Sequence, residues 1–507
     1  MRVPDVLVVG AGGSGAVLAA RLSEDPGCRV LLLEAGPVLR HGFPPGLMDA
    51  RMVPGAQPGH PFVRRHPVRL TADRAYEAPR GRVLGGSTTV NGGYFIRARE
   101  ADFARWAAQA GDARWSYEQV LPMLRAMESD ADFGAGPLHG DTGPVPVRRA
   151  SLGHPAAAAF AAAAHESGHR NEPDKNAQEP PGFGPVPTNT RGPRRVNTGL
   201  AYLAAARDRP NLTVRGGCAV RSVVVCRGRA LGVVVESAGR ETLITVGEIV
   251  LCAGAFATPH LLHLSGIGPA AELAALGIPV VSDLPAVGAG VSDHPQVVVA
   301  WQPRRPPESP RHTWLGGVLH VPSGANHDAG DLEILQSLLP LNALTAGTAT
   351  AAGGSQAFLV SAQTPRRGGR LRTVSADPDV PPAIDYDYLA TPADRARMRE
   401  AVRAAAAVVG TAAFSEVSAG LVDLAPDVVE HDLRLDRWIR ARLGTAQHTC
   451  GTVPMGPSGA VDAHGRVHGI AGLRVADTSV LPDAPMRGPA ATALLLGELA
   501  AESLRHG

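Results

Sequence analysis

Asp5-Val6-Leu7-Val8-Val9-Gly10-Ala11-Gly12-Gly13-Ser14-Gly15-Ala16 sets the first unit of the fold. Val6 to Val9 is an apolar, β-branched run of the kind that forms a buried strand. Gly10, Gly12 and Gly15 follow with the G-x-G-x-x-G spacing, and Ala16 to Leu22 is small, apolar and helix-compatible. Bare backbone at those positions serves a tight turn, a close approach to a pyrophosphate, and close packing of helix on strand. The helix N-terminus then presents free N–H groups and the positive end of its dipole to phosphate. A second apolar run, Val30 to Leu33, ends in Glu34, about 20 residues after the glycines, where an acid is expected to accept ribose hydroxyls. Glycine-rich turns also occur as plain structure. Here strand, glycines, helix, second strand and terminal acid fall in one register, which predicts a dinucleotide site without separating NAD from FAD.

Bulk composition narrows the field. The chain has 507 residues, enough for two or three domains, with 44% hydrophobic and 19% charged residues. A net charge of +2 points to no nucleic-acid partner. Lys175 is the only lysine, so neither a P-loop nor a Schiff-base mechanism is expected. Cys28, Cys218, Cys226, Cys252 and Cys450 are sparse and show no C-x-x-C spacing; they predict neither a disulfide framework nor a metal site. No stretch reaches the roughly 18 apolar residues of a membrane span, and the first strand starts too early for a signal peptide. The expected location is cytoplasmic, with peripheral membrane contact left open.

Farther along, residues 40–70 are rich in Pro, Gly, His and Arg and read as a lid loop. Within it Arg64-Arg65-His66 reads as a solvated stretch sooner than as an anion contact. Helices are expected at Asp102 to Ala110, at Tyr117 to Met127 behind Ser116, and at Thr258 to Leu264. Val220 to Val225, Ala230 to Glu236 and Glu241 to Val246 predict a small antiparallel meander, and Glu248 to Ala255 a buried strand. Strand-like segments at Val297 to Gln302, Ala357 to Ser361 and Gly369 to Val374, and a long helix from Pro392 opened by Thr391, predict a second domain. Leu473 to Asp477 reads as a last strand ending in an acid, and Thr492 to Leu504 as a closing helix. No internal repeat is present.

Five further segments carry a resemblance. Gly81-Arg82-Val83-Leu84-Gly85-Gly86-Ser87-Thr88-Thr89-Val90-Asn91 resembles the first signature of the glucose–methanol–choline (GMC) oxidoreductases, and Gly254 to Gly268 resembles the second. Val287-Gly288 with Asp293-His294-Pro295 resembles the family's domain crossover. His448-Thr449-Cys450-Gly451-Thr452-Val453-Pro454-Met455-Gly456 resembles its catalytic-histidine segment, and Gly472 to Ser479 its C-terminal FAD strand. Asn91 to Phe95 and Leu138 to Pro144 further resemble the mycofactocin-associated branch.

The resemblance implies an α/β and α+β protein, with a Rossmann-like FAD domain and a second, mostly antiparallel-sheet substrate domain. The FAD domain would take residues 1–295, the substrate domain mainly 296–440, and residues 441–507 would return to FAD. It places pyrophosphate at Gly10, Gly12, Ser14 and Gly15, ribose at Glu34 beside Ala35, adenine near Val220, and the flavin edge at Ser87, Asn91 and Gly92. Arg82, Gly85, Gly86, Ala253, Gly254, Asp477, Thr478, Pro489, Ala490 and Thr492 complete the lining. His448 would take the hydroxyl proton of an alcohol while hydride passes to flavin N5. The family's second His or Asn is expected just before the last helix, but Arg487-Gly488-Pro489-Ala490-Ala491-Thr492 offers neither, leaving Arg487 or Asn342 as replacements. That gap favours a dehydrogenase, with a quinone or redox-protein acceptor, over an oxidase reducing O₂. A hydroxynitrile-lyase type of reaction and a flavin protein without catalysis are the other classes.

Family members that bind FAD covalently do so through a histidine just before the signature asparagine, and this chain has Val90 there. Acid precipitation of the purified protein should therefore release the yellow flavin into the supernatant; colour retained in the pellet would show a covalent link elsewhere.

Overall fold

The computed structural model describes residues 3–39, 42–324, 330–347, 354–364 and 366–506. Five short strands form a wholly parallel sheet in the order Leu212–Arg215, Val30–Leu33, Val6–Val9, Glu248–Leu251, Leu473–Val475. Parallel strands covered on both faces need continuous apolar runs; Val6–Val9 and Val30–Leu33 are buried at every residue. The chain leaves Val6–Val9 in one direction to reach Val30–Leu33 and the other neighbour comes much later. This reversal opens a crevice beyond the carboxyl ends of the strands. The helix Gly13–Leu22 rises from that crevice. Gly15 is pressed so close to the turn that a Cβ would sit 1.9 Å from the Gly10 carbonyl oxygen, so the strand–helix junction admits only glycine there. The C-terminal helix Ala490–His506 packs along this first helix, and the Ser14 hydroxyl donates to Ala493 O at 2.7 Å.

The expected meander is present as Ala219–Cys226, Arg229–Ser237 and Arg240–Thr245, all antiparallel. Several element boundaries move. The buried strand stops at Leu251, and the helix expected from Thr258 already starts at Gly254. Likewise the closing helix starts at Ala490 rather than Thr492.

A seven-stranded antiparallel sheet builds the other half of the molecule. Its path runs Ser418–Leu421, Pro295–Pro303, Gln356–Ala362, Leu332–Ser337, Leu315–Val321, Phe183–Pro185, with Gly444–Thr445 paired to the start of Pro295–Pro303. Helix Pro392–Val409 covers one face. Thr391 caps it, its hydroxyl accepting from Asp394 N while Asp394 accepts from Thr391 N, both at 3.1 Å. Met398, Ala401, Val402, Ala405 and Val408 form the buried stripe of that helix. They pack into one core with Val297, Val299, Leu319, Ile334 and Val360 of the sheet. Side chains alternate along a strand, so Gln296, Ser361, Glu333 and His320 point to the opposite face. Register aligns these four in one row across neighbouring strands.

Residues 40–70 correct one expectation. Residues 40 and 41 lie outside the described residues, but Val63–Thr71 is a strand, paired along its length with Arg74–Gly81. His66, Val68 and Leu70 face inward while Pro67 and Arg69 stay in solvent. This is a period of two whose outer face is hidden among arginines and a proline. His66 is accordingly buried, its ring edge-on to Phe256 at 5.1 Å, and not part of a solvated loop.

The Leu138 to Pro144 stretch has a structural use. Glu128, Asp130 and Asp174 meet Arg97, Arg149 and His139 in a buried network. His139 Nδ1 lies 2.8 Å from Glu128 and its Nε2 2.7 Å from Asp174. Glu128, Asp130 and His139 also stand close enough to share a metal ion. The three carboxylates are, however, already matched by two arginines and a protonated histidine. Burial pulls the His139 imidazole down, but its hydrogen bonds to Asp130, Asp174 and Glu128 outweigh burial and lift it to about 10.

A folded value above the ordinary 6.5 means that this contribution is complete below pH 6.5 and fades as pH rises through about 10. His139→Gln, which leaves the carboxylates short of a cation, should cost about 3–5 kcal/mol at pH 6 by denaturant unfolding. The gap between wild type and variant should narrow above pH 10.

Candidate active site

At the carboxyl edge of the parallel sheet the sequence-predicted cofactor residues converge. Glu34, buried at the end of its strand, accepts from Ala11 N at 2.9 Å and from Gly36 N at 2.8 Å. The first-signature loop lies directly over the fingerprint: Gly85 N donates to Ala11 O at 2.8 Å, and a Cβ on Gly86 would come within 2.7 Å of the Gly12 Cα. Cys218 N donates to Glu34 O at 2.9 Å, which brings Val220 to the same end of the crevice. Asp477 accepts from Gly254 N (2.8 Å), Thr258 Oγ1 (2.6 Å) and Ser479 N (2.9 Å), pinning the start of the Gly254–Leu264 helix beside Ala253. Thr478 Oγ1 donates to Thr449 O at 3.1 Å, joining this edge to the histidine segment.

These features fit a dinucleotide. The first-turn N–H groups at Gly13 to Gly15 have no acceptor within their own helix. Ala35, Arg82 and Ser87 are exposed on the same edge. Asn91 and Ala490 line one cavity together with Thr198 and Leu494. Gly92 has a second neighbour the sequence did not suggest, since Trp314 Nε1 donates to its carbonyl at 2.9 Å. Pro489 is half-buried, and the Thr492 hydroxyl is buried without a partner.

His448 stands at the junction of the two halves, and its Nδ1 lies 2.8 Å from Nδ1 of His294, the two rings being nearly perpendicular at 81°. A polar partner therefore does reach His448, from the crossover segment and not from the last helix. Asn342 is exposed on its own short helix and hydrogen-bonds to neither histidine. Asp293 organises the pair: its carboxylate accepts from His294 N (2.7 Å), His448 N (2.9 Å) and Thr449 Oγ1 (2.5 Å). Arg80 donates to Thr449 Oγ1 at 2.6 Å and lies over the Phe256 ring at 4.2 Å. Burial holds the His448 imidazole down at about 4, against the pull of Asp293 and with the help of Arg80. Burial and the facing His448 hold His294 well below its usual value. Both rings are thus neutral at pH 7. On the other side of His448, a Cβ at Gly488 would lie 3.3 Å from Nε2.

The polar row of the antiparallel sheet forms a second wall. Glu333 accepts from His320 Nε2 (3.1 Å), Gln363 Nε2 (3.2 Å) and the Tyr94 hydroxyl (3.3 Å), and burial lifts its carboxyl to about 6 in spite of the Arg487 charge. Lys175, the lone lysine, is buried beside Glu172 and donates to Gly182 O at 2.8 Å. Sequence reasoning missed Glu333, His320 and Asp293 as site residues. Asp293 and His294 were visible in the crossover motif, but nothing local revealed which side chains they meet. His263, expected to pack on its helix, is buried with Nδ1 3.0 Å from Thr373 Oγ1 and Nε2 3.2 Å from Val287 O.

A crevice at the strand ends built for a dinucleotide, closed by a histidine pair and an antiparallel wall, defines a flavin-type oxidoreductase, and the comparisons agree. The GMC oxidoreductase model matches residues 4–296 with its N-terminal part and 365–497 with its C-terminal part. An uncharacterized GMC-type oxidoreductase of Rhodococcus erythropolis is 39% identical over 99% of this chain and 98% of its own. An oxygen-dependent choline dehydrogenase of Klebsiella pneumoniae is 33% identical over 99% of this chain and 96% of its own. The crystal structure of pyridoxine 4-oxidase from Mesorbium loti superposes with a TM-score of 0.92 at 28% identity, covering 99% of both chains. The chain belongs to the GMC oxidoreductase family and is an FAD-dependent enzyme. Among the described residues no helix is long and apolar enough to cross a membrane.

Proposed function

We propose that the protein oxidises a small-molecule alcohol to an aldehyde or ketone, with His448 as the base. The observation that carries this reading is the His294–His448 contact, which orients one imidazole with the other. In this reading His294 Nδ1 is the acceptor and His448 Nδ1–H the donor, so the lone pair of His448 falls on Nε2, facing Gly488. A base neutral above pH about 4 is ready at every working pH. Asp293, whose charge favours the imidazolium, steadies the proton once it arrives. Bound FAD would supply the hydride acceptor, held by Gly10, Gly12, Ser14 and Gly15 at the phosphates and by Glu34 at the ribose. The domain division that goes with this reading is residues 1–295 and 441–507 around FAD and 296–440 around the substrate.

His448→Ala should retain FAD yet reduce it with alcohol at least about 10²-fold more slowly under anaerobic conditions. The wild-type rate should vary little between pH 6 and 8. Bleaching of the variant at the wild-type rate would remove His448 from the reaction; a wild-type flavin bleached by no alcohol would favour a lyase or a non-catalytic flavin protein.

For the acceptor we propose a quinone or a redox protein, met by a cytoplasmic protein that touches the membrane at most peripherally. Pro489 and Ala490 give the flavin edge no charge, and a neutral His448 adds none, so two of the groups that could stabilise superoxide there do not. Turnover should be fast with an artificial dye and slow in air alone. An oxygen electrode checks it: oxygen uptake matching the dye-linked rate would make the enzyme an oxidase.

A further inference from the structure

Arg487 is fully buried, and the chemistry above leaves its charge unused. One end of its guanidinium is occupied, Nη1 donating to Met486 O at 2.5 Å and to Gly330 O at 3.1 Å. Nε and Nη2, the two N–H groups along the other edge, are buried with no hydrogen-bond partner. Buried ionic donors left open in this way destabilise the free protein and call for an acceptor.

The surrounding groups do not provide it. Glu333 is held by Tyr94, His320 and Gln363, Glu172 meets Lys175 through Oε2 while its Oε1 has no partner, and among the described residues no carboxylate forms an ion pair with Arg487. Yet the Nη1 bond to Gly330 O sets Arg487 near His320, since a Cβ on Gly330 would lie 3.2 Å from the His320 Cβ, and its charge acts on His294, His320 and Glu333. It is also the chain neighbour of Gly488, which borders His448 Nε2. The base and a buried guanidinium edge without a partner are thus brought together by adjacent chain positions.

Two parallel N–H groups on one guanidinium edge match the two oxygens of a carboxylate. We infer that the alcohol this enzyme takes is a hydroxy acid, its carboxylate seated on the Nε–Nη2 edge of Arg487 and its hydroxyl directed to His448. This rests on the alcohol-oxidising reading above and gives that reading a substrate class. It also sets the chain apart from its choline-oxidising relatives, because a quaternary ammonium would meet a buried like charge.

Calorimetric titration of the FAD-loaded protein with butanoate and with butanamide, which have nearly the same shape but differ in charge, tests the site without turnover. Wild type should bind butanoate at least about ten-fold more tightly than the amide, as expected for hydrogen bonds to an ionic partner. Arg487→Gln should abolish that preference, and Arg487→Lys should keep part of it, retaining charge without the fork. Equal binding of the two probes by wild type, or binding of neither, would overturn the inference, and this comparison stands even where a variant fails to fold. A changed flavin spectrum in Arg487→Gln with the carboxylate preference intact would also overturn it, by turning the free edge toward the cofactor. The two readings fail separately. Alcohols that bleach the flavin without a butanoate preference sink the substrate class alone. A butanoate preference that depends on Arg487, in a protein that no alcohol or hydroxy acid reduces, sinks the oxidation reading and leaves the anion site.

Discussion

The Asp293 carboxylate is the constraint on which the catalytic end of the molecule depends. It accepts from the backbone of His294, the backbone of His448 and the hydroxyl of Thr449, so one buried acid ties the crossover segment to the C-terminal segment. The two imidazoles it gathers are 154 positions apart in the chain. Their Nδ1 contact is a consequence of that gathering. The same junction joins the parallel sheet to the antiparallel one, since Pro295–Pro303 starts directly after His294. Fold and chemistry therefore share a single electrostatic clasp.

The cofactor half was legible in the sequence because its signals are local. Val6–Val9, the three glycines and Glu34 follow one another at distances set by a strand, a turn and a helix, and the structure joins them as expected. The same holds for the meander and for the Thr391 cap. Strand Val63–Thr71 was missed for an equally local reason, since arginines on its outer face disguise a period of two. The polar face of the antiparallel sheet was illegible for a different reason. Glu333 and His320 become neighbours only through cross-strand register, which depends on how separated strands align. The partner of His448 was sought beside the last helix, where Pro489 and Ala490 stand, whereas the structure supplies His294 from the middle of the chain. A motif reports that a histidine is present but not what it faces.

The two-faced sheet has an evolutionary consequence. Odd and even positions along Pro295–Pro303, Gln356–Ala362 and Leu332–Ser337 answer to different demands, one set to the helix-side core and the other to the polar face opposite it. Gln296, Ser361 and Glu333 can be replaced while Val297, Val360 and Ile334 keep the sheet anchored to its helix. A family built on this sheet can change its diet one alternate residue at a time, without renegotiating the packing that keeps it folded.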